Sequence, residues 1–175
     1  MMDFETAMRS RFSCRKMTSE PISEEKLQFI IEAGRLAPLA AGDNKTSHLT
    51  VVHGGKLIED IREACMYTRK DGSRMDPLYG ASTIIFFSAT DISDDHIEYA
   101  NAGCVIENMC LAAASMGLGS CYIWGCLRKL RKHPELIEKL HLPEGHEILS
   151  AFVCGHTDME KPEKKELDMM QVTRL

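Results

Sequence analysis

A short basic segment near the N-terminus is the first place where residue types and spacing could do chemistry. Residues 9–16 read Arg-Ser-Arg-Phe-Ser-Cys-Arg-Lys, which puts four cations within eight residues. Guanidinium groups match phosphate oxygens in a bidentate way, and a serine hydroxyl adds a further donor. The segment is therefore either an anion clamp or a solvent-exposed basic turn, and composition alone favours the turn.

The cysteines are the second group with possible chemistry. There are seven: Cys14, Cys65, Cys104, Cys110, Cys121, Cys126 and Cys154. None forms a C-x-x-C pair, whereas zinc and iron–sulfur sites usually need such close pairing. An odd number, with several members in apolar runs, favours free and mostly buried thiols, and we expect no metal site.

Length and charge limit the classes of function. The 175 residues suit one domain with a sizeable core, so we expect a single domain over residues 1–175. The net charge of −5 gives no general attraction to nucleic acid or anionic lipid. No apolar run approaches the roughly 20 residues of a membrane span, and residues 1–12 lack the apolar core of a secretory signal. We expect a cytosolic protein with neither nucleic acid nor membrane as partner.

The elements that would position these residues are organised around residues 101–125. Apolar residues recur there at steps of three and four, and the opposite helical face is hardly more polar. A helix that is apolar nearly all round lies inside a protein or at an interface. The aspartate-rich residues 91–95 are expected to cap its start, and Gly117 its end. A short strand, Ser120–Trp124, then leads to Gly125.

The rest of the pattern predicts an α+β domain. Helices are predicted over Asp3–Met8, from an N-cap at Ser23 to Pro38, over Lys56–Cys65, and over Leu127–Leu140 with an interruption at Pro134. Strands are predicted over His48–Val52, Ser82–Ala89 and Glu147–Cys154. The second strand is apolar throughout, as expected of a central strand that is buried on both faces. Thr68–Tyr79 is predicted to be irregular.

Four segments, read together, resemble the nitroreductase family of FMN-dependent flavoproteins, in the family's order along nearly the whole chain. Arg11-Phe12-Ser13-Cys14-Arg15 resembles the opening R-x-S-x-R motif. The helix ending in Ala33-Gly34-Arg35-Leu36-Ala37-Pro38 resembles the second element. Residues 101–125 resemble the signature helix and turn, and residues 153–156 with 161–165 resemble the C-terminal end. The short chain is similar to the compact members.

The resemblance implies an α+β fold in which helices flank a central, mostly antiparallel sheet, in an intertwined homodimer. Each subunit would bind one FMN in a site built from both chains. The loop after Pro38 would reach the partner's flavin, and the tail, residues 155–175, would extend over the partner.

The implied function is a ping-pong oxidoreductase that uses NADH or NADPH to reduce nitroaromatics, quinones or similar electron-poor small molecules. No side chain need act as a catalytic acid or base, because flavin N5 carries the hydride. The scattered histidines, which form no Ser-His-Asp set, fit ordinary polar roles.

The resemblance also assigns residues to the two ends of FMN. Arg11, Ser13 and Arg15 would hold the phosphate and ribityl end, where Lys164 and Lys165 would join them from the tail. Several cations on one phosphate form charge-assisted hydrogen bonds.

At the ring, Ile123, Trp124 and Gly125 would lie alongside, with a backbone N–H of this turn facing N5. Gly125 would allow the close approach because it has no Cβ. A cation at the pyrimidine end would stabilise the reduced ring, and Arg11 and Arg74 are the candidates for that role.

The loop after Pro38 departs from the family pattern of a serine, an asparagine and then Gln-Pro-Trp. Residues 39–48 read Leu-Ala-Ala-Gly-Asp-Asn-Lys-Thr-Ser-His, which implies an insertion, and Asn44 is the candidate for the family asparagine. Asn101 stands where an acid is usual. Two alternatives stay open, and the altered loop motivates the first of them. One is a protein that binds FMN or a related ligand without efficient turnover, and the other is a specialised branch such as a reductive dehalogenase.

Overall fold

The structure, a computed structural model, describes residues 2–42, 44–163 and 170–175. Its helices are α1 (Phe4–Ser10), α2 (Glu24–Arg35), α3 (Gly55–Cys65), α4 (Ile97–Ser115), α5 (Leu127–Leu130) and α6 (Pro134–Glu138). Its strands are β1 (Ser47–His53), β2 (Tyr67–Thr68), β3 (Arg74–Met75), β4 (Thr83–Ala89), β5 (Gly119–Ile123) and β6 (Glu147–Gly155). The predicted α+β class is confirmed.

A four-stranded antiparallel sheet, in the order β1-β4-β6-β5, forms the centre of the domain. Every residue of β4 is buried, as predicted for a central strand. Because side chains alternate along a strand, Ile84 and Phe86 pack with α3 and α5, whereas Ile85 and Phe87 pack with α2 and α4. The sheet therefore separates two apolar layers, each covered by helices.

The long helix α4 begins at Ile97, four residues before the predicted helical stretch. The N-cap residue is His96, one residue beyond the predicted capping segment 91–95, and its side chain makes no capping hydrogen bond. From within that segment, the hydroxyl of Ser93 accepts from the Ile97 N–H at 3.3 Å. Gly117 ends the helix with φ +70°, as predicted. α2 approaches α4 closely at Gly34, where a Cβ would lie 3.0 Å from Cγ of Met109.

Two predictions in the outer parts of the chain have different outcomes. Pro134 does interrupt the predicted helix over 127–140, because α5 ends before it and α6 begins at it. The prediction that residues 68–79 are irregular is partly wrong, since β2 and β3 form a short antiparallel ribbon there. Two-residue strands are too short to show alternation in a sequence.

None of the described helices has the length and apolar character needed to cross a membrane.

The segment that precedes α2 is held against three other parts of the chain by backbone hydrogen bonds. The N–H of Cys14 donates to Ser120 O at 2.8 Å and that of Met17 to Tyr79 O at 2.8 Å. The N–H of Thr18 donates to His156 O at 2.9 Å. Close packing of this segment depends on Gly80, because a Cβ there would collide with the carbonyl oxygen of Met17.

Gly80→Ala should therefore destabilise the fold more than Gly72→Ala. Both glycines have left-handed φ values, +81° and +84°, but a Cβ at Gly72 would meet no atom within 4 Å. We expect a loss of unfolding free energy of about 1–2 kcal/mol for Gly72→Ala from strain alone. Gly80→Ala should lose about 2–5 kcal/mol, since overpacking adds to the strain. Chemical denaturation measures both, and equal losses would contradict the close contact at Met17.

Candidate functional site

A cleft of about 570 Å³ opens where β5 ends and the chain turns towards α5. We call it the β5 cleft. Its lining combines residues 121–126 with Arg128 and Lys129 of α5, Cys65 of α3, Tyr67 of β2, Pro77, Tyr79, and Arg15 of the N-terminal segment. Segments far apart in the sequence thus meet at one end of the sheet.

Arg15 is positioned by the backbone pairing of its own segment. Ser13 forms an isolated parallel bridge with Ser120, and the bonds at Cys14 and Met17 fix the chain on either side of Arg15. Its guanidinium group lies close to the side chain of Tyr79. Burial raises the pKa of the Tyr79 phenol, an effect that the Arg15 contact partly offsets.

The turn after β5 presents an open backbone to the cleft. Ile123 is buried, whereas Trp124 and Gly125 are exposed. A Cβ at Gly125 would meet no described atom within 4 Å, so the backbone at this residue faces free space. The indole of Trp124 is 47% exposed, and Cζ of Arg128 lies 5.7 Å from its ring centroid. The turn therefore offers both a reachable backbone and an aromatic surface.

The cleft is cationic although the whole chain has a net charge of −5. Arg15, Arg128 and Lys129 line it, and the described lining includes no carboxylate. The ammonium group of Lys129 donates to the carbonyl oxygen of Met66, which fixes one of these charges in place. Such a surface suits an anionic ligand.

Three buried thiols, Cys65, Cys121 and Cys126, also line the cleft. Burial raises the pKa of Cys65 to about 11 and that of Cys126 to about 12. Burial raises the pKa of Cys121 as well, against a smaller opposite effect of Arg15. These thiols stay protonated near neutral pH and do not act as nucleophiles there. Of the seven cysteines in the chain, six are buried, as predicted.

The structure brings together only part of the predicted site. Arg15, Ile123, Trp124 and Gly125 all line the β5 cleft. Ser13 lies next to them, because it forms the backbone bridge with Ser120, which precedes Cys121 of the lining.

Other predicted residues lie elsewhere. Nε of Arg11 pairs with Oε1 of Glu107 at 3.1 Å, and Arg11 lines a separate, smaller cleft that also contains Lys161. Arg74 pairs with Glu63 at 2.6 Å, its side chain is 61% exposed, and it does not line the β5 cleft. Lys164 and Lys165 lie outside the described residues.

Asn44 lines a second large cleft, of about 590 Å³, between the end of α2 and β1. We call it the α2–β1 cleft. It is lined mainly by apolar side chains, among them Leu39 and Val51, and it includes Leu36, which is 75% exposed. In a single chain, Asn44 and Arg15 therefore belong to different clefts.

Sequence reasoning missed five aromatic or cationic residues in the β5 cleft: Tyr122 of β5 itself, the cations Arg128 and Lys129, and the distant tyrosines Tyr67 and Tyr79. A signal for the two cations was available, since they follow Gly125 by three and four residues and so remain near the predicted ring-facing turn. No local pattern predicts the two tyrosines, because the β2–β3 ribbon and the loop after it bring them in.

Solved structures of nitroreductases share this architecture. A nitroreductase from Bacteroides fragilis with bound FMN superposes with a TM-score of 0.80 at 22% identity, over 99% of this chain and 100% of that chain. A nitroreductase from Desulfitobacterium hafniense with bound FMN gives 0.81 at 22% identity, with the same coverage. These likenesses confirm the predicted fold, a mostly antiparallel sheet flanked by helices.

Sequence comparison gives the family. The profile of the Nitroreductase family matches residues 8–156. A protein from Vibrio harveyi named NADPH-flavin oxidoreductase is 32% identical over 174 residues, which are 92% of this chain and 68% of that protein. The chain belongs to the nitroreductase family, as its sequence motifs predicted.

Proposed function

We propose that this protein is an FMN-dependent oxidoreductase that uses NADH or NADPH to reduce nitroaromatics, quinones or similar electron-poor compounds. The observation that carries the proposal is the β5 cleft, in which a cationic wall meets the open backbone turn Ile123–Gly125. The relatives are of the same kind: one is named NADPH-flavin oxidoreductase, and two solved nitroreductases hold FMN.

The residues of the cleft fit FMN. Its volume of about 570 Å³ lies within the usual range of ligand pockets, about 300–1,000 Å³. Cations without neighbouring carboxylates suit the negative charge that the flavin ring gains on reduction. The missing Cβ of Gly125 leaves room for a planar ring beside the backbone. Arg15, Ser13 and the turn Ile123–Gly125 are the residues that would hold the cofactor.

FMN, when bound, supplies the redox centre that takes two electrons and a proton as hydride from the nicotinamide and passes the electrons to an acceptor. The chain's own residues bind the cofactor, orient it and shield it. Trp124 and Tyr67 offer aromatic walls, and Arg15 places a positive charge in the cleft. The thiols of Cys65 and Cys126, held protonated by burial, do not attack electrophilic acceptors near neutral pH. Donor and acceptor would use the same open side of the cleft in turn.

The direct test is an anaerobic absorbance experiment on the purified protein. We expect the protein to take up FMN, NADH or NADPH to bleach the flavin band, and a quinone added afterwards to restore it. Absence of flavin together with no uptake of added FMN would contradict the proposal. A flavin that stays oxidised under both donors would favour the alternative of a binding protein without turnover, which the altered loop at residues 39–48 suggests.

We further propose a homodimer in which each FMN site is completed by the partner. The support is the α2–β1 cleft, because Asn44 lies there, away from the β5 cleft of its own chain, beside exposed apolar residues such as Leu36. Exposed apolar surface of this kind is characteristic of interfaces. The apolar Val172 and Leu175 of the tail are exposed too, which supports an arm over the partner. The unpaired thiols fit the cytosol as compartment.

Leu36→Glu should weaken the dimer and the binding of FMN together. The side chain is already exposed in one chain, so the substitution should leave the monomer folded while a charge disrupts the interface. Sedimentation at micromolar concentration should give a dimer for the parent and mostly monomer for the variant. Lys132→Glu, on an exposed turn outside both clefts, is the control and should remain dimeric. A parent protein that binds FMN as a monomer would contradict the shared site.

The affinities for FMN and for riboflavin, which lacks the phosphate, should show which of the two arginines binds the phosphate and which lies at the ring. The sequence motif places Arg11 and Arg15 together at the phosphate and ribityl end, whereas only Arg15 lines the cleft with the ring-facing turn. We expect Arg15→Ala to weaken both ligands by similar factors, about tenfold to hundredfold, as for a lost charge-assisted hydrogen bond. Arg11→Ala should weaken FMN and spare riboflavin.

Fluorescence titration measures these affinities, with Lys56→Ala on α3 as the control. Lys56 pairs with Asp60 on the protein surface, so its loss should change neither affinity. If Arg15→Ala instead abolishes the preference for FMN over riboflavin, Arg15 holds the phosphate and its placement at the ring is wrong.

A further inference from the structure

Arg128 differs from four other arginines in its electrostatic surroundings. Arg9, Arg11, Arg62 and Arg74 each pair with a carboxylate. Within the described parts of the chain, Arg128 forms no ion pair and no hydrogen bond, and its contact is with the face of Trp124. A guanidinium group has five N–H donors in a planar fork, so Arg128 presents an unused anion-binding group.

The two other cations of the β5 cleft already interact with groups of the protein itself. The ammonium group of Lys129 donates to the Met66 carbonyl oxygen, and the guanidinium group of Arg15 interacts with the side chain of Tyr79. Under the proposed function, Arg15 also serves the cofactor. Arg128 is therefore the cation that remains for whatever binds on the open side of the cleft.

Trp124 and Arg128 form a unit with two binding properties. The indole is a planar apolar surface, and at 47% exposure it is accessible to a ligand ring. The cation–π contact restricts the long Arg128 side chain beside that surface, so less freedom is lost when it binds an anion. A planar ring that carries an acidic substituent can use both groups, whereas a neutral ring can use only the indole.

Selectivity for an anion also needs a local field that overcomes the charge of the whole protein. The net charge of −5 repels anions at long range, but salt screens this repulsion beyond about 8–10 Å. Within the cleft the described lining residues carry three cations and no carboxylate. An anionic ligand that reaches the cleft is thus attracted.

We propose that Arg128, acting with Trp124, makes the β5 cleft selective for electron-poor aromatic acceptors that carry a carboxylate or sulfonate group. The proposal rests on the proposed function and names the acceptor class of that same site. Arg128 acts on acceptor binding, so its loss should appear in Kd and KM for anionic acceptors more than in kcat.

The binding test compares 4-nitrobenzoate with the uncharged 4-nitrobenzamide, using calorimetry on the oxidised FMN-loaded protein without an electron donor. We expect Arg128→Gln to weaken 4-nitrobenzoate about threefold to tenfold, the range of a solvent-accessible charged contact. The affinity for 4-nitrobenzamide should change by less than about twofold, since the indole surface remains. Arg128→Lys should retain part of the preference because it keeps the charge without the planar fork.

Lys132→Gln is the matched control, because it removes a cation four residues along the chain that does not line the cleft. It should leave both affinities unchanged. Higher salt should reduce the preference of the parent protein for 4-nitrobenzoate and should affect Arg128→Gln less. Equal weakening of both ligands in Arg128→Gln would overturn the proposal, since Arg128 would then only support Trp124. Unchanged affinities would overturn it as well.

Steady-state rates separate this inference from the proposed function. With either donor, the ratio of kcat/KM for 4-nitrobenzoate to that for 4-nitrobenzamide should fall about threefold to tenfold in Arg128→Gln. A change in the NADPH to NADH preference with no change in this ratio would overturn the assignment, because Arg128 would then bind the donor's phosphate. If the parent protein reduces neither acceptor, the proposed function fails, while calorimetry still reports on the anion preference.

Discussion

The docking of the N-terminal segment against the sheet is the constraint on which the site depends. Three backbone hydrogen bonds, from Cys14, Met17 and Thr18, tie this segment to β5, to Tyr79 and to the end of β6. Gly119 and Gly80 make the approach possible, because a Cβ on Gly119 would lie 2.8 Å from Sγ of Cys14. Without this packing, Arg15 would be a solvent-exposed charge on a terminal segment rather than part of a cleft.

The cleft shows how an acidic protein can present a local site for anions. Its three cations come from two segments far apart in the sequence, the N-terminal segment and α5, and the carboxylates that pair with arginine elsewhere, such as Glu63 and Glu107, lie outside it. The fold, and not the composition, therefore determines that cations line the cleft while carboxylates lie outside it. The buried thiols form an unreactive part of the lining. Their raised pKa values keep them protonated and neutral beside an electrophilic acceptor.

Local patterns predicted most elements of the fold but only part of the site. The apolar helix, the fully buried β4 and the break at Pro134 were predictable because each depends on neighbours in the sequence. Arg15 and the turn at Ile123–Gly125 followed from family motifs. Tyr67 and Tyr79 reach the cleft through a two-residue ribbon and a loop, which leave no periodic signal. Arg11, in contrast, was predicted from its motif to hold the cofactor, but the motif does not reveal that Arg11 pairs with Glu107.

Hydrogen–deuterium exchange with and without FMN tests most directly whether the β5 cleft is the flavin site. Binding should slow exchange in peptides that cover residues 11–17 and 121–129, because the cofactor would cover these backbones. Peptides over residues 137–148, which border a separate apolar groove beside α6, should exchange at the same rate in both states. Bound FMN that protects the second region and leaves the first unchanged would contradict the assignment of the site.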